Sequence, residues 1–142
     1  MDKIDPDLIP VLIGSFLKKV RKNRNEMLTA YKLSSSHVMY LMVLYKNSEG
    51  LTLSNLNEIL EVDKANTTRV VKDLIKKGYL IKDEKNSGLR KYKVLLTDKG
   101  IEVSRKIKNN IKLVHEKINA ILSEEEKRNF FKILKKFNDF EF

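Results

Sequence analysis

Apolar residues recur along this chain in two different rhythms, and the switch between them predicts its organisation. Ile9, Leu12, Phe16, Val20, Met27 and Tyr31 follow helical spacing, widened by Leu8, Ile13, Leu17 and Leu28. Pro6 and Pro10 come early, where a first helical turn tolerates proline. The pattern predicts a first helix from about residue 7 to 31. Ser34-Ser35-Ser36 offers an N-cap for a second helix carrying Val38, Leu41, Met42, Leu44 and Tyr45. Thr52 can cap a short third helix bearing Leu53, Leu56, Ile59 and Leu60. Asp63 can cap a fourth that runs to Lys77, with Val70, Val71, Leu74 and Ile75 inward and Gly78 at its C′ position.

After Gly78 the rhythm changes to alternation. Tyr79 to Lys82 and Lys91 to Leu96 read as short strands, with Tyr92, Val94 and Leu96 on one face. Asn86-Ser87-Gly88 between them carries turn chemistry, which makes the pair a hairpin. Thr97 then caps a long helix whose Ile107, Ile111, Val114, Ile118 and Ile121 are spaced four, three, four and three apart, a seam suited to another helix. Ser123 with Glu126 forms a capping box for a last helix with Phe130, Ile133, Leu134, Phe137 and Phe140. The expected fold is mainly α with a small β-hairpin: four helices, a hairpin and two further helices.

The length of 142 residues suits one domain with a real core. No apolar run reaches the ~18 residues of a membrane span, and the N-terminus has no signal-peptide character. The expected location is the cytoplasm. Cysteine is absent, which excludes disulfides, thiol catalysis and sulfur-based zinc sites. With only His37 and His115, a histidine-rich metal site is not expected either, and no cofactor is implied. No phosphate loop, nucleophile elbow or His-Glu metal motif is present, so the chain is not expected to be an enzyme. The carboxylates at Glu124 to Glu126 are explained by capping and the helix dipole.

Charge changes the picture most. The formal net charge is +10, and the segment from Lys64 to Lys93 holds +7 of it, with ten basic residues against three acids. That segment coincides with two short helices joined by a tight turn and followed by a hairpin. The arrangement is a winged helix-turn-helix, which lays its second helix in the major groove of duplex DNA. Helical spacing turns Thr67, Val70, Val71 and Leu74 to the core and leaves Lys64, Asn66, Thr68, Arg69, Lys72 and Lys76 for the outer faces. Asn66 and Arg69 have the side chains that read adenine and guanine edges, whereas Lys72 and Lys76 suit phosphates. For Asn66 and Thr68, hydrogen bonding within the first helical turn is the competing role. Lys85, Arg90 and Lys91 flank the hairpin turn, where a wing tip meets phosphates or the minor groove.

Three stretches carry a family resemblance: Leu51-Thr52-Leu53-Ser54-Asn55-Leu56, the run from Val62 to Leu74 with Lys77-Gly78-Tyr79-Leu80, and the run from Arg90 to Gly100. Together they resemble MarR-family transcription regulators. The resemblance implies a homodimeric repressor or activator, residues 33–97 forming the DNA-binding lobe and residues 7–31 and 98–142 a helical dimerisation lobe. It also implies recognition helices in successive major grooves and a wing arginine, matched by Arg90, in the minor groove. The family's wing carries an Asp-x-Arg pair, and Gly88 stands here where the aspartate is expected. The resemblance further implies release from DNA by a small lipophilic or phenolic ligand, as is often the case in the family, for which Tyr31, His37, Tyr40 and Tyr45 are candidates, with ordinary packing as their competing role.

The expected function is sequence-specific binding of a pseudo-palindromic operator, its half-sites about 10 bp apart, by a repressor. The alternative is a winged helix that binds RNA or a protein. RNA single strands call for exposed aromatics among the basic residues, and only Tyr79 and Tyr92 lie there. A membrane-surface role for the basic, amphipathic first helix is weaker still.

Overall fold

The structure, a computed structural model, describes residues 4–83 and 92–141. Its elements are α1 (Leu8–Ala30), α2 (Ser35–Lys46), β1 (Leu51–Thr52), α3 (Leu53–Leu60), α4 (Lys64–Lys76), β2 (Leu80–Asp83), β3 (Lys93–Leu96), α5 (Asp98–Ile121) and α6 (Glu124–Asn138). They fall into two compact units, Met1–Lys108 and Asn109–Phe142.

Local side-chain chemistry sets most of the boundaries. The Thr52 hydroxyl accepts the Asn55 N–H at 3.1 Å, and the Asp63 carboxylate accepts the Asn66 N–H at 2.7 Å. At the start of α5 the Thr97 hydroxyl accepts the Gly100 N–H, and at α6 Ser123 and Glu126 satisfy each other's backbone N–H groups. Each device supplies an acceptor to a helix N–H that has no partner in its own helix. α4 ends as the glycine foretells. Gly78 adopts φ +81°, its N–H reaches the Ile75 carbonyl, and the Tyr79 N–H reaches that of Leu74. The sharp reversal delivers the chain straight into β2.

The sheet differs from the expected hairpin. β1 adds a third strand, in the order β1-β3-β2, all antiparallel. Leu51 pairs with Val94, and Leu80 with Leu96. Strand β2 also starts one residue later than the alternation predicts, because Tyr79 is still closing α4.

The core of the first unit gathers Leu28 and Leu33, Tyr40, Leu41 and Leu44 of α2, and Leu56 of α3. Val70, Val71 and Leu74 of α4, Val38, Tyr79, Leu80, Val94, and Val103 with Ile107 of α5 also belong to it. Four-residue steps along α4 and α5 bring these residues to one face, and their burial drives the packing. Further from that core the apolar stripes stand open: Leu8, Ile9, Leu12, Ile13 and Phe16 of α1 are all exposed. In the second unit α6 buries no residue, and Phe131 and Phe137 are each 63% exposed.

Candidate nucleic-acid interface

α4 is two-faced. Thr67, Val70, Val71 and Leu74 are buried, as the helical spacing predicts, while Lys64, Ala65, Arg69, Lys72 and Lys76 are exposed. Lys64, Thr68, Arg69 and Lys72 line one open concavity on the outer side of the helix. Lys76, one turn further, lines a separate cleft of about 370 Å³ with Tyr31, Lys32, Asp73, Lys77, Tyr79 and Lys99. Lys85, Arg90 and Lys91, and with them Gly88, lie outside the described residues. The described part of the wing adds exposed Lys82, whose ammonium sits 4.5 Å from the Tyr92 ring centroid, and exposed Lys93.

Asn66 and Thr68 hold partners within the protein. The Thr68 hydroxyl donates to the Lys64 carbonyl at 2.8 Å, the local helix bond that competes with an outward role. Asn66 is half-buried. Its Oδ1 accepts from Arg69 Nη2 at 2.8 Å, and its Nδ2 donates to the Tyr40 hydroxyl at 3.4 Å. The guanidinium of Arg69 is therefore tethered to its neighbour one turn back yet remains exposed.

Among the residues proposed for ligand binding, Tyr40 is 2% exposed, its hydroxyl 3.1 Å from buried Thr67 Oγ1, and so belongs to the core. His37 is also buried. Its Nδ1 accepts the Ser34 backbone N–H at 2.9 Å, which leaves Nε2 to donate to Asp73 Oδ2 at 2.7 Å. Tyr45 is half-buried under the Lys108 ammonium. Tyr31 lines the cleft that Lys76 also borders, with Lys106 donating to its hydroxyl.

The His37–Asp73–Lys77 group escapes sequence reasoning. Asp73 and Lys77 are one helical turn apart and pair on α4, a spacing visible in the sequence, but His37 lies 36 positions away. The Lys77 ammonium, opposed by desolvation and aided by His37, holds the Asp73 carboxyl below its ordinary value of 3.8. A depressed folded-state value means that the pairing stabilises the fold above about pH 4 and is lost as pH falls through that value. The Asp73 side chain is 38% exposed, so solvent screening keeps the effect small. Asp73→Asn is expected to flatten the acid limb of a plot of unfolding temperature against pH. Acid limbs identical to the parent's would refute the pairing.

The chain resembles known proteins over this same region. Residues 31–88 match the family model described as MarR family. The HTH-type transcriptional regulator BilQ of Clostridioides difficile (strain CD3) is 34% identical over 98 residues, covering 69% of this chain and 66% of that protein. The chain thus spans just under two thirds of that relative's length. Among solved structures, a MarR protein from Peptoclostridium difficile DA00132 aligns with a TM-score of 0.76 at 28% identity, covering 97% of this chain and 90% of its own. A MepR–DNA complex from S. aureus aligns with a TM-score of 0.77 at 18% identity, over 91% of this chain and 95% of that one, and shares the fold. The matched motif segment, the identity and the common fold agree: this chain belongs to the MarR family.

Proposed function

We propose that this protein is a sequence-specific, duplex-DNA-binding transcription regulator that works as a homodimeric repressor in the cytoplasm and catalyses no reaction. The carrying observation is α4, whose apolar side is locked into the core while Lys64, Arg69 and Lys72 stand together on the open side. A rigid helix with an exposed cationic face is what a major groove accepts, since phosphates supply affinity and base edges supply discrimination. The structural relative MepR, seen bound to DNA, supports the reading. The RNA alternative is disfavoured because Tyr79 is 2% exposed and the Tyr92 ring faces Lys82, so neither is free to stack on a base.

The apolar stripes of α1 and α6 support a dimer. Several large side chains on each are 41–64% exposed in the single chain, more than a soluble protein ordinarily leaves to water. Two copies pairing through the first, fifth and sixth helices cover them, and the twofold axis sets half-sites about 10 bp apart on a pseudo-palindromic operator. Lys85, Arg90 and Lys91 are proposed from the sequence as further DNA-contacting residues. A small phenolic or lipophilic effector belongs to the same proposal, and a thermal-shift screen of aromatic acids tests it.

Fluorescence anisotropy with duplexes from the protein's own promoter tests the DNA reading. Arg69→Ala is expected to cost about 1–3 kcal/mol on the specific site and to relax base preference. Lys72→Ala should weaken all duplexes alike and reduce the slope of log affinity against log salt by about 1. Equal losses on specific and random DNA in both variants would contradict these roles. Tighter binding of single-stranded RNA than of duplex would overturn the function itself.

A further inference from the structure

The helix behind the recognition helix reaches through to the base-reading surface. Tyr40 belongs to α2 and is 2% exposed, yet its hydroxyl meets two consecutive residues of α4. Thr67 Oγ1 lies 3.1 Å away on the buried side, and Asn66 Nδ2 donates to the same oxygen at 3.4 Å. Asn66 in turn accepts from Arg69 Nη2 at 2.8 Å. The chain of contacts runs from a core hydroxyl to an exposed guanidinium: Tyr40, Asn66, Arg69.

We infer that Tyr40 is a positioning residue for DNA sequence readout, acting through Asn66 on Arg69. The inference rests on the proposed DNA-binding function and names what sets its specificity. An Asn carboxamide has two N–H donors and an oxygen with two lone pairs. Arg69 can only donate, so its contact identifies the amide oxygen and turns the amide nitrogen toward the Tyr40 hydroxyl, which accepts from it. One N–H and one lone pair remain for a base edge. Without the tyrosine oxygen, Asn66 is free to rotate about its side chain and Arg69 loses its fixed neighbour. A guanidinium held in place loses less side-chain entropy when it docks on a guanine, and misfits other bases more sharply. Because 3.4 Å is a long hydrogen bond, the hydroxyl biases the carboxamide rather than clamping it, and the expected effect is moderate.

The other polar contact from α2 to α4 supplies a control. His37 holds Asp73, seven residues beyond Asn66, and among the described residues it makes no hydrogen bond to Asn66 or Arg69. Disturbing it loosens the helix without reaching the readers.

The test is selection of binding sites from a random duplex library by the full-length parent and by Tyr40→Phe, Asn66→Ala, their double variant and Asp73→Asn. Unfolding temperatures and salt slopes are measured in parallel. Tyr40→Phe removes one oxygen and is expected to lower base preference at one position of each half-site by about three- to tenfold, with random-DNA affinity and salt slope unchanged. In the Asn66→Ala background Tyr40→Phe should change the preference no further. Asp73→Asn should keep the parental preference. An unaltered preference in Tyr40→Phe, or the same drop in the Asn66→Ala background, overturns the inference. Failure of the parent to enrich any motif overturns the DNA-binding function itself, and the inference falls with it. Should Tyr40→Phe not fold, NMR of the parent decides: an NOE between the Asn66 side-chain amide and the Tyr40 ring is expected, and its absence refutes the contact.

Discussion

Replacing Gly100 with alanine is expected to lower the free energy of unfolding by about 1–3 kcal/mol, although the change removes a glycine from a helix. A Cβ at this position would stand 2.2 Å from the Tyr79 carbonyl oxygen and 3.1 Å from Leu96 Cδ2. Backbone cannot step aside as a flexible side chain can. The Tyr79 oxygen also accepts the Thr97 N–H at 3.1 Å, and the Gly100 N–H is itself the one capped by Thr97. Making room therefore strains the junction where β2 leaves α4 and α5 begins. Overpacking costs about 1–3 kcal/mol and a weakened hydrogen bond about another 1, against roughly 1 kcal/mol gained in helix propensity. The loss wins, and the unfolding temperature should fall by about 8 °C. An alanine variant as stable as the parent would mean that α5 does not approach Tyr79 so closely.

Leu74→Ala should do more damage, about 3 kcal/mol within the 2–5 kcal/mol range of such truncations. Leu74 is fully buried on the side of α4 opposite Arg69 and Lys72, among core residues from α2, α3 and the sheet. The cavity left there has no flexible segment to fill it, because both ends of α4 are fixed, by the Asp63 cap and by the Gly78 turn. Against a net stability of about 5–15 kcal/mol this is a large fraction, and a fall of about 10 °C is expected. Chemical denaturation should show a lower midpoint with an unchanged slope. The pair Leu74→Ala and Arg69→Ala separates the two faces of one helix. The first should lose DNA affinity only as far as the protein unfolds, the second at full stability. A Leu74 variant with parental stability would contradict the burial of that face.

Much of this was legible in the sequence because it is local. Thr52, Asp63, Thr97 and Ser123 each cap a helix with an oxygen three residues before the N–H it serves, so spacing alone locates them. The helical period turned Val70, Val71 and Leu74 inward and Arg69 and Lys72 outward, and alternation put Val94 in the core. What spacing does not encode is pairing between distant segments. β1 is two residues long and exists only because Leu51 meets Val94, 43 positions later. The wheel sends Asn66 outward, but a tyrosine hydroxyl on another helix holds it half-buried. His37 looked like a candidate ligand residue, and it is instead bonded at both ring nitrogens, one end to Ser34 and the other to Asp73. Gly100 stood inside a recognised motif, and only the approach of the Tyr79 carbonyl explains why a side chain does not fit there.

Tethered cleavage tests the central claim most directly. The sequence has no cysteine, so Ala65→Cys creates a single thiol, on an exposed residue in the same concavity as Arg69 and Lys72. Coupled to a DNA-cutting metal chelate and bound to a promoter duplex, it should cut in two short windows with centres about 10 bp apart, one for each recognition helix of a dimer. Cuts scattered evenly along the duplex, or none above the untethered chelate, would show that α4 does not enter the groove.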